Sequence, residues 1–383
     1  MLFRSAGVGA SAPDARTVTV RLRSPCAYFL QLAAFHTLMP VPLHAIGRHG
    51  EAWTRPGNLV TSGPFTLATW EPRVRIELTP NPRYHDRAVV KLERITAHPY
   101  DDLDTAYKLF QQGGLDWMNA VPSERIDALK LDPAYYVSPY LAIYYLRLNV
   151  TRGALTDARV RRALALALDR REITEHLLRA GQIPSASFCP AGAGGYPDGP
   201  DVKIDVPAAR ALLAEAGFPE GKGLPAIELL FNTSEQHKKI CENVAEQWRR
   251  NLGITATPRN CEWKVYLDRL QKLDYDAARS GWTADYDDPM TFFDIWMTGD
   301  GNNRTGFADP AYDDLVRAAA REVDPARRLG IFQQADRRLQ EASPGIPLYV
   351  YVNQGLLNER VRGWWPNRRD HHPFQWMWLE DRK

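Results

Sequence analysis

The stretch ARSGWTADYDDPMTFFDIW (278–296) sets Arg279, Trp282 and the aspartates Asp285, Asp287 and Asp288 close together along the chain. A cation, an indole and carboxylates at that spacing can serve catalysis, a metal ion or the charged end of a ligand. Asp288-Pro289 is also a good helix start, with Asp as N-cap and Pro at N1, and Asp287 would favour that helix's dipole. Asp285 lies further back, just after Gly281 and Trp282. It reads either as a carboxylate that holds a ligand ammonium beside the indole or as a solvated loop aspartate. Arg279 ends a run of small apolar residues, where burying a guanidinium without an anion is costly. Its anion is either Asp285 or a ligand carboxylate. His237 stands three residues before Ile240 and so faces inward from the first turn of its helix. A helix N-terminus disfavours a protonated imidazole, yet its free N–H groups suit a carboxylate. A satisfied core histidine is the alternative.

Enzyme signatures do not accompany these residues. The chain has no G-x-S-x-G, no H-E-x-x-H and no P-loop. DGNNRTG (300–306) begins like a calcium loop, but Arg304 and Thr305 occupy positions where an EF-hand needs a ligand and a glycine. DHH (370–372) reads as solvent-facing polar residues rather than a metal site. The chain is expected to be neither an enzyme nor the holder of a cofactor or metal.

The elements that must position the candidate residues lie in 224–296. A strand, AIELLF, leads through Asn232-Thr233-Ser234 into a helix striped by Ile240, Val244, Trp248 and Leu252 and capped by Gly253. ITATPRN leads through Glu262-Trp263 into the helix KVYLDRLQKL. YDAAR leads through Ser280-Gly281-Trp282 into the DDPMTFFDIW helix. This alternation with short loops predicts an α/β fold with a parallel sheet and crossover helices. Ligands bind at the C-terminal edge of such strands. Three segments therefore converge on one rim: Asn232 to His237, Glu262 to Trp263, and Arg279 to Asp288.

Elsewhere, residues 17–100 read as mostly β, beginning with TVTVRLR, where Val18, Val20 and Leu22 alternate as on a half-buried strand. DLDTAYKLFQQ predicts a helix at about 102–112, and SPYLAIYYLRLNV (138–150) a long strand. Val160, Ala163, Leu164, Ala167 and Leu168 share one helical face. Asp169 and Glu172 read as a capping pair for the next helix, which stops at Gly181. PAARALLAEAG (207–217) predicts another helix.

Lys plus Arg number 48 and Asp plus Glu 46, so the net charge of +2 points to no nucleic-acid partner. No stretch approaches 18 apolar residues, which excludes a helical membrane span. Cys26, Cys189, Cys241 and Cys261 form no C-x-x-C pair, and are either free or joined in up to two disulfides. The opening MLFRSAGVGASAPDART lacks the continuous apolar run of a signal peptide.

Seven segments in order carry a resemblance: NLVTSGPFTLATWEP, NPRYH, DARVRRALALALDRREI, LLFNTSEQHKK, EWKVYLDRL, ARSGWTADYDDPMTFF and IPLYVYVN. Together they resemble the peptide-binding proteins of ABC importers, extracellular solute-binding family 5, and within it the oligopeptide-binding members. The resemblance implies a two-lobed periplasmic-binding-protein-like fold of the class II type that closes around an extended peptide. Residues 58–139 with 347–383 would form lobe I and 140–346 lobe II, with YLAIYYLRLNV and IPLYVYV as hinge crossings. Residues 1–57 would be the remnant of a small extra domain, in a chain truncated at its N-terminus.

By the same resemblance, Asp285 would bind the peptide α-ammonium, and Arg279 and His237 would lie where ligand carboxylates bind. Trp263, Gly281 and Trp282 would line the cleft. Thr283 is similar to what dipeptide binders carry, and Leu270 stands where oligopeptide binders place a further arginine. The implied function is peptide capture for an inner-membrane permease, by a monomer in the periplasm or lipid-anchored outside the cell. A dipeptide, a murein peptide, nickel or haem is the alternative ligand on the same fold. A peptidase is disfavoured by the missing catalytic motifs.

Overall fold

The expected strand–helix alternation of 224–296 is present in the computed structural model, which describes residues 9–200 and 203–380. Residues 1–8 of the anticipated 1–57 segment and 381–383 at the C-terminus lie outside the described residues. The chain divides into two compact units, a smaller one of 39–141, 174–183 and 350–383 and a larger one of 1–38, 142–173 and 184–349.

In the smaller unit, β1 (Phe65–Glu71), β2 (Arg75–Pro80) and β3 (Ile95–Ala97) form an antiparallel sheet in that order. The helix α1 (Leu103–Gln111) starts at Asp102, whose side chain accepts from Asp104 N. Its Ala106 joins a buried cluster with Met118, Val121, Ile126, Leu129, Ala180 and Leu356. Met118 belongs to the short strand β4 (Trp117–Met118).

The strand β5 (Tyr135–Leu148) runs on into the larger unit. There α2 (Ala158–Leu166) buries Val160, Ala163 and Leu164 completely, as its periodicity predicts. The helix α3 (Val206–Glu215) is capped by Asp205. Then follow β6 (Ile227–Asn232), α4 (Glu235–Leu252), β7 (Ala256–Cys261), α5 (Trp263–Gln271) and β8 (Ala277–Thr283). The helices α6 (Met290–Phe293), α7 (Pro310–Arg321) and α8 (Pro325–Ala342) lead to β9 (Gly345–Leu357). The sheet order is β7-β6-β8-β5-β9, with β7 and β8 parallel to β6 and β8 antiparallel to β5. The α4 stripe of Ile240, Val244, Trp248 and Leu252 is buried, and Gly253 caps the helix in the left-handed conformation at φ 71°.

Several details depart from expectation. The strand at Thr19–Val20 is only two residues long and pairs with Ala10–Ser11, so Val18, Val20 and Leu22 stand exposed. Residues 17–100 are not mostly β. Short helices occupy Phe29–Ala33 and Leu43–His49, where helix-forming Leu, Gln and Ala outweigh the β-branched residues. Asp169 accepts from Arg171 N and Glu172 N, but Glu172 does not reach back to complete a capping box. Its carboxylate instead takes bonds from Asn243 Nδ2 and Arg250 Nη2. All four cysteines are free thiols.

Candidate functional site

The parallel strands β6, β7 and β8 end on one edge, so their following segments gather there. Ser234 begins α4, and its hydroxyl accepts from His237 N at 3.4 Å. Glu262 begins α5, accepting from Lys264 N at 2.7 Å. The third strand runs further than its sequence implies. Arg279, Gly281, Trp282 and Thr283 belong to β8 itself, because they pair with Leu146, Tyr144, Ile143 and Ala142 of β5. A partner strand some 130 residues away supplies those ladder bonds, which no local pattern in YDAAR reveals.

Arg279 and His237 meet directly, with Arg279 Nη2 bonded to His237 Nε2. The guanidinium carbon lies 5.7 Å from the ring centre of Tyr144 and 6.0 Å from that of Tyr266, within cation–π range. The Tyr266 hydroxyl donates to the Arg279 backbone carbonyl. His237 Nδ1 is 3.4 Å from the Tyr144 hydroxyl. Burial, and then the neighbouring Arg279, push the His237 pKa down to about 4, so the ring is neutral near pH 7. Arg279 Nε is buried and unbonded, and among the described residues no carboxylate lies within ion-pair distance of this guanidinium. Asp285 is therefore not its internal anion.

Trp282 and Asp285 are tied to one anchor. Trp282 Nε1 donates to Thr291 Oγ1 at 3.2 Å and Asp285 N donates to the same oxygen at 3.4 Å. Thr291 itself is buried at the start of α6. Burial raises the Asp285 carboxyl above the usual aspartate range, with His36 nearby pulling it down. Asp285 is thus a partly buried side chain. Gly281 sits opposite Tyr144 in the ladder and adds no side chain to cover that ring. Trp263, the first residue of α5, is 49% exposed and stacks on Tyr266 at 5.6 Å. Thr283 is exposed at the strand end.

Asp288 has the structural role its sequence context implies, and more. Its Oδ1 accepts from Met290 N at 2.9 Å, capping the short helix, although the residue flanking that helix is Pro289. It also forms a buried ion pair with Arg328. Asp287 accepts from Gly194 N at 2.9 Å. Arg269 pairs with Glu228 and Asp274, and Leu270 is buried in the core beside Tyr266 and Tyr275. Tyr144, Tyr266 and Thr291 were not singled out by sequence reasoning. Tyr266 stands three residues after Trp263 on the same helix, a spacing that could have found it. Among the described residues no group of three or more His, Cys, Asp and Glu side chains converges as a metal site.

The chain belongs to the bacterial extracellular solute-binding proteins, family 5, whose middle region it matches over residues 3–304. This is a family of binding proteins and not of enzymes. The chain is 35% identical over 372 residues to the periplasmic oligopeptide-binding protein OppA of Salmonella typhimurium, covering 93% of itself and 67% of that protein. It is 32% identical to the periplasmic murein peptide-binding protein MppA of Escherichia coli, covering 93% of itself and 68% of that one. Among solved structures it is similar to Haemophilus influenzae OppA in complex with the peptide RPPGFSPFR. The TM-score there is 0.84 at 29% identity, with 98% of this chain and 75% of that one covered. The two-lobed solute-binding fold is thereby shared.

Proposed function

We propose that this chain is the peptide-binding subunit of an ABC importer, acting outside the cytoplasm as a monomer that delivers oligopeptides to a membrane permease. The observation that carries the reading is Arg279, a half-buried guanidinium whose side-chain hydrogen-bond partner is a neutral histidine. A cation so placed is complemented by an anion from outside the protein, and a peptide's C-terminal carboxylate is one. Asp285, on the same rim, supplies the opposite sign for an α-ammonium. Six residues of backbone separate the two, at most roughly 20 Å, which an extended peptide of about six residues or fewer can span. Trp263, Gly281, Trp282 and Thr283 complete the ligand-facing set. Family membership and the peptides bound by OppA and MppA support the same class.

Native mass spectrometry of protein purified without denaturation tests this. Co-purified masses should correspond to short peptides, and calorimetry with tri-alanine should give saturable binding. The absence of both a co-purified peptide mass and binding of any tri- to hexapeptide from a mixed library would overturn the reading.

A further inference from the structure

A guanidinium can only donate hydrogen bonds. His237 Nε2, bonded to Arg279 Nη2, must therefore present its lone pair. A neutral imidazole with a free lone pair on Nε2 carries its proton on Nδ1. That N–H points at the Tyr144 hydroxyl oxygen, 3.4 Å away, which accepts it. The reverse assignment, with Tyr144 donating to Nδ1, would move the ring proton to Nε2 and set it against a guanidinium proton. Tyr144 is itself held firmly. It is fully buried, stacked on Tyr349 with ring centres 4.9 Å apart and planes 15° from parallel, and locked into the ladder opposite Gly281. Its ring also forms one wall for the Arg279 guanidinium, and Tyr266 forms another.

We propose that Tyr144 is a positioning residue for the carboxylate end of the ligand: Arg279 demands the Nδ1–H tautomer of His237, and the Tyr144 hydroxyl, by accepting that N–H, holds the imidazole where Arg279 meets it. Without the hydroxyl, the Nδ1–H loses its acceptor, the imidazole is free to turn, and Arg279 loses its fixed partner. The effect is expected at the ligand's anionic end, where Arg279 and His237 lie. The proposal rests on the peptide reading above for its ligand, but the tautomer itself does not depend on any ligand.

Tyr144→Phe keeps the ring, its stacking and its cation–π face, and removes only the hydroxyl. In the unliganded wild type, nitrogen-15 NMR of the His237 imidazole should show protonated Nδ1 and unprotonated Nε2, and in Tyr144→Phe the Nδ1–H signal should shift as its acceptor is lost. A wild-type ring protonated on Nε2 would overturn the proposal, whatever the protein binds. In calorimetry, Tyr144→Phe should weaken tri-alanine about fivefold, the contribution of one ordinary hydrogen bond, and leave tri-alanine amide unchanged. His237→Gln offers Arg279 an acceptor oxygen and removes the Nδ1–H that Tyr144 accepts, so adding Tyr144→Phe to it should have no further effect. Equal losses for both peptides, or an undiminished loss in the His237→Gln background, would also overturn it. If neither peptide binds the wild type, the peptide reading fails, and the NMR result alone decides the relay.

Discussion

Arg328 grips Asp288 through two parallel hydrogen bonds, Nη1 to Oδ2 at 2.6 Å and Nη2 to Oδ1 at 2.7 Å, with both side chains under a tenth exposed. The guanidinium also lies 4.9 Å from the Phe332 ring and 5.2 Å from that of Tyr28. Removing one partner of such a pair strands the other as a buried charge. Asp288→Ala should therefore cost roughly 3–5 kcal/mol in urea unfolding. Asp288→Ala combined with Arg328→Met should be more stable than Asp288→Ala alone. A double variant less stable than either single one would mean that the two residues act independently.

Asp285→Ala should weaken tri-alanine roughly a hundredfold or more, because losing one side of a buried charge pair costs about 3–5 kcal/mol and each 1.4 kcal/mol is about tenfold. N-acetylated tri-alanine should bind the wild type poorly and lose little more in the variant. Equal wild-type affinity for the free and acetylated peptides would remove the ammonium from Asp285.

Arg279→Met retains the length and apolar stem of the side chain and deletes its charge. The wild type should prefer tri-alanine over its C-terminal amide by about tenfold or more, the range of a hydrogen bond to a charged group. In Arg279→Met that preference should vanish, mostly by loss of the free acid. Titration calorimetry of both peptides against both proteins reads this directly, and a preference that survives the substitution would place the carboxylate elsewhere.

Asp294 is buried near Asp300, Asp285 and Asp288, and burial first, then these carboxylates, raise its pKa to about 7. The folded state thus binds the proton more tightly than the unfolded chain, whose aspartate titrates near 3.9. The stability linked to this group is fully present below about pH 4, falls as pH rises towards 7, and is flat above. Asp294→Asn should therefore stabilise the protein relative to wild type at pH 7.5, on the order of 4 kcal/mol, and this advantage should shrink steadily down to pH 4.5. Urea midpoints at four pH values would show it, and a pH-independent difference would assign the effect to packing instead.

Much of the larger unit is legible in sequence because its signals are local. The spacing of Ile240, Val244, Trp248 and Leu252 marks one helix face, and the strand–loop–helix alternation after 224 brings His237, Trp263 and Arg279 to one edge. What escapes is set by partners distant in sequence. Tyr144 reaches His237 across 93 residues, and Arg328 reaches Asp288 across 40. No periodicity encodes either meeting. The segment around Val18 fails for a related reason. Its alternation is genuine, but a strand buries a face only when something packs on it, and in the described residues its partner is another two-residue strand.

The stacking of Tyr144 on Tyr349 joins β5 to β9, neighbours in the sheet that lie far apart in the chain. During synthesis at roughly 5–20 residues per second, β9 follows β5 out of the ribosome after about 200 residues, some 10–40 s later. Throughout that interval the strand Leu141–Leu148, buried along its whole length in the finished protein, has an unfilled edge. The nascent chain therefore carries that apolar edge unpaired until β9 is made, which makes β5 a strand open to mispairing during synthesis.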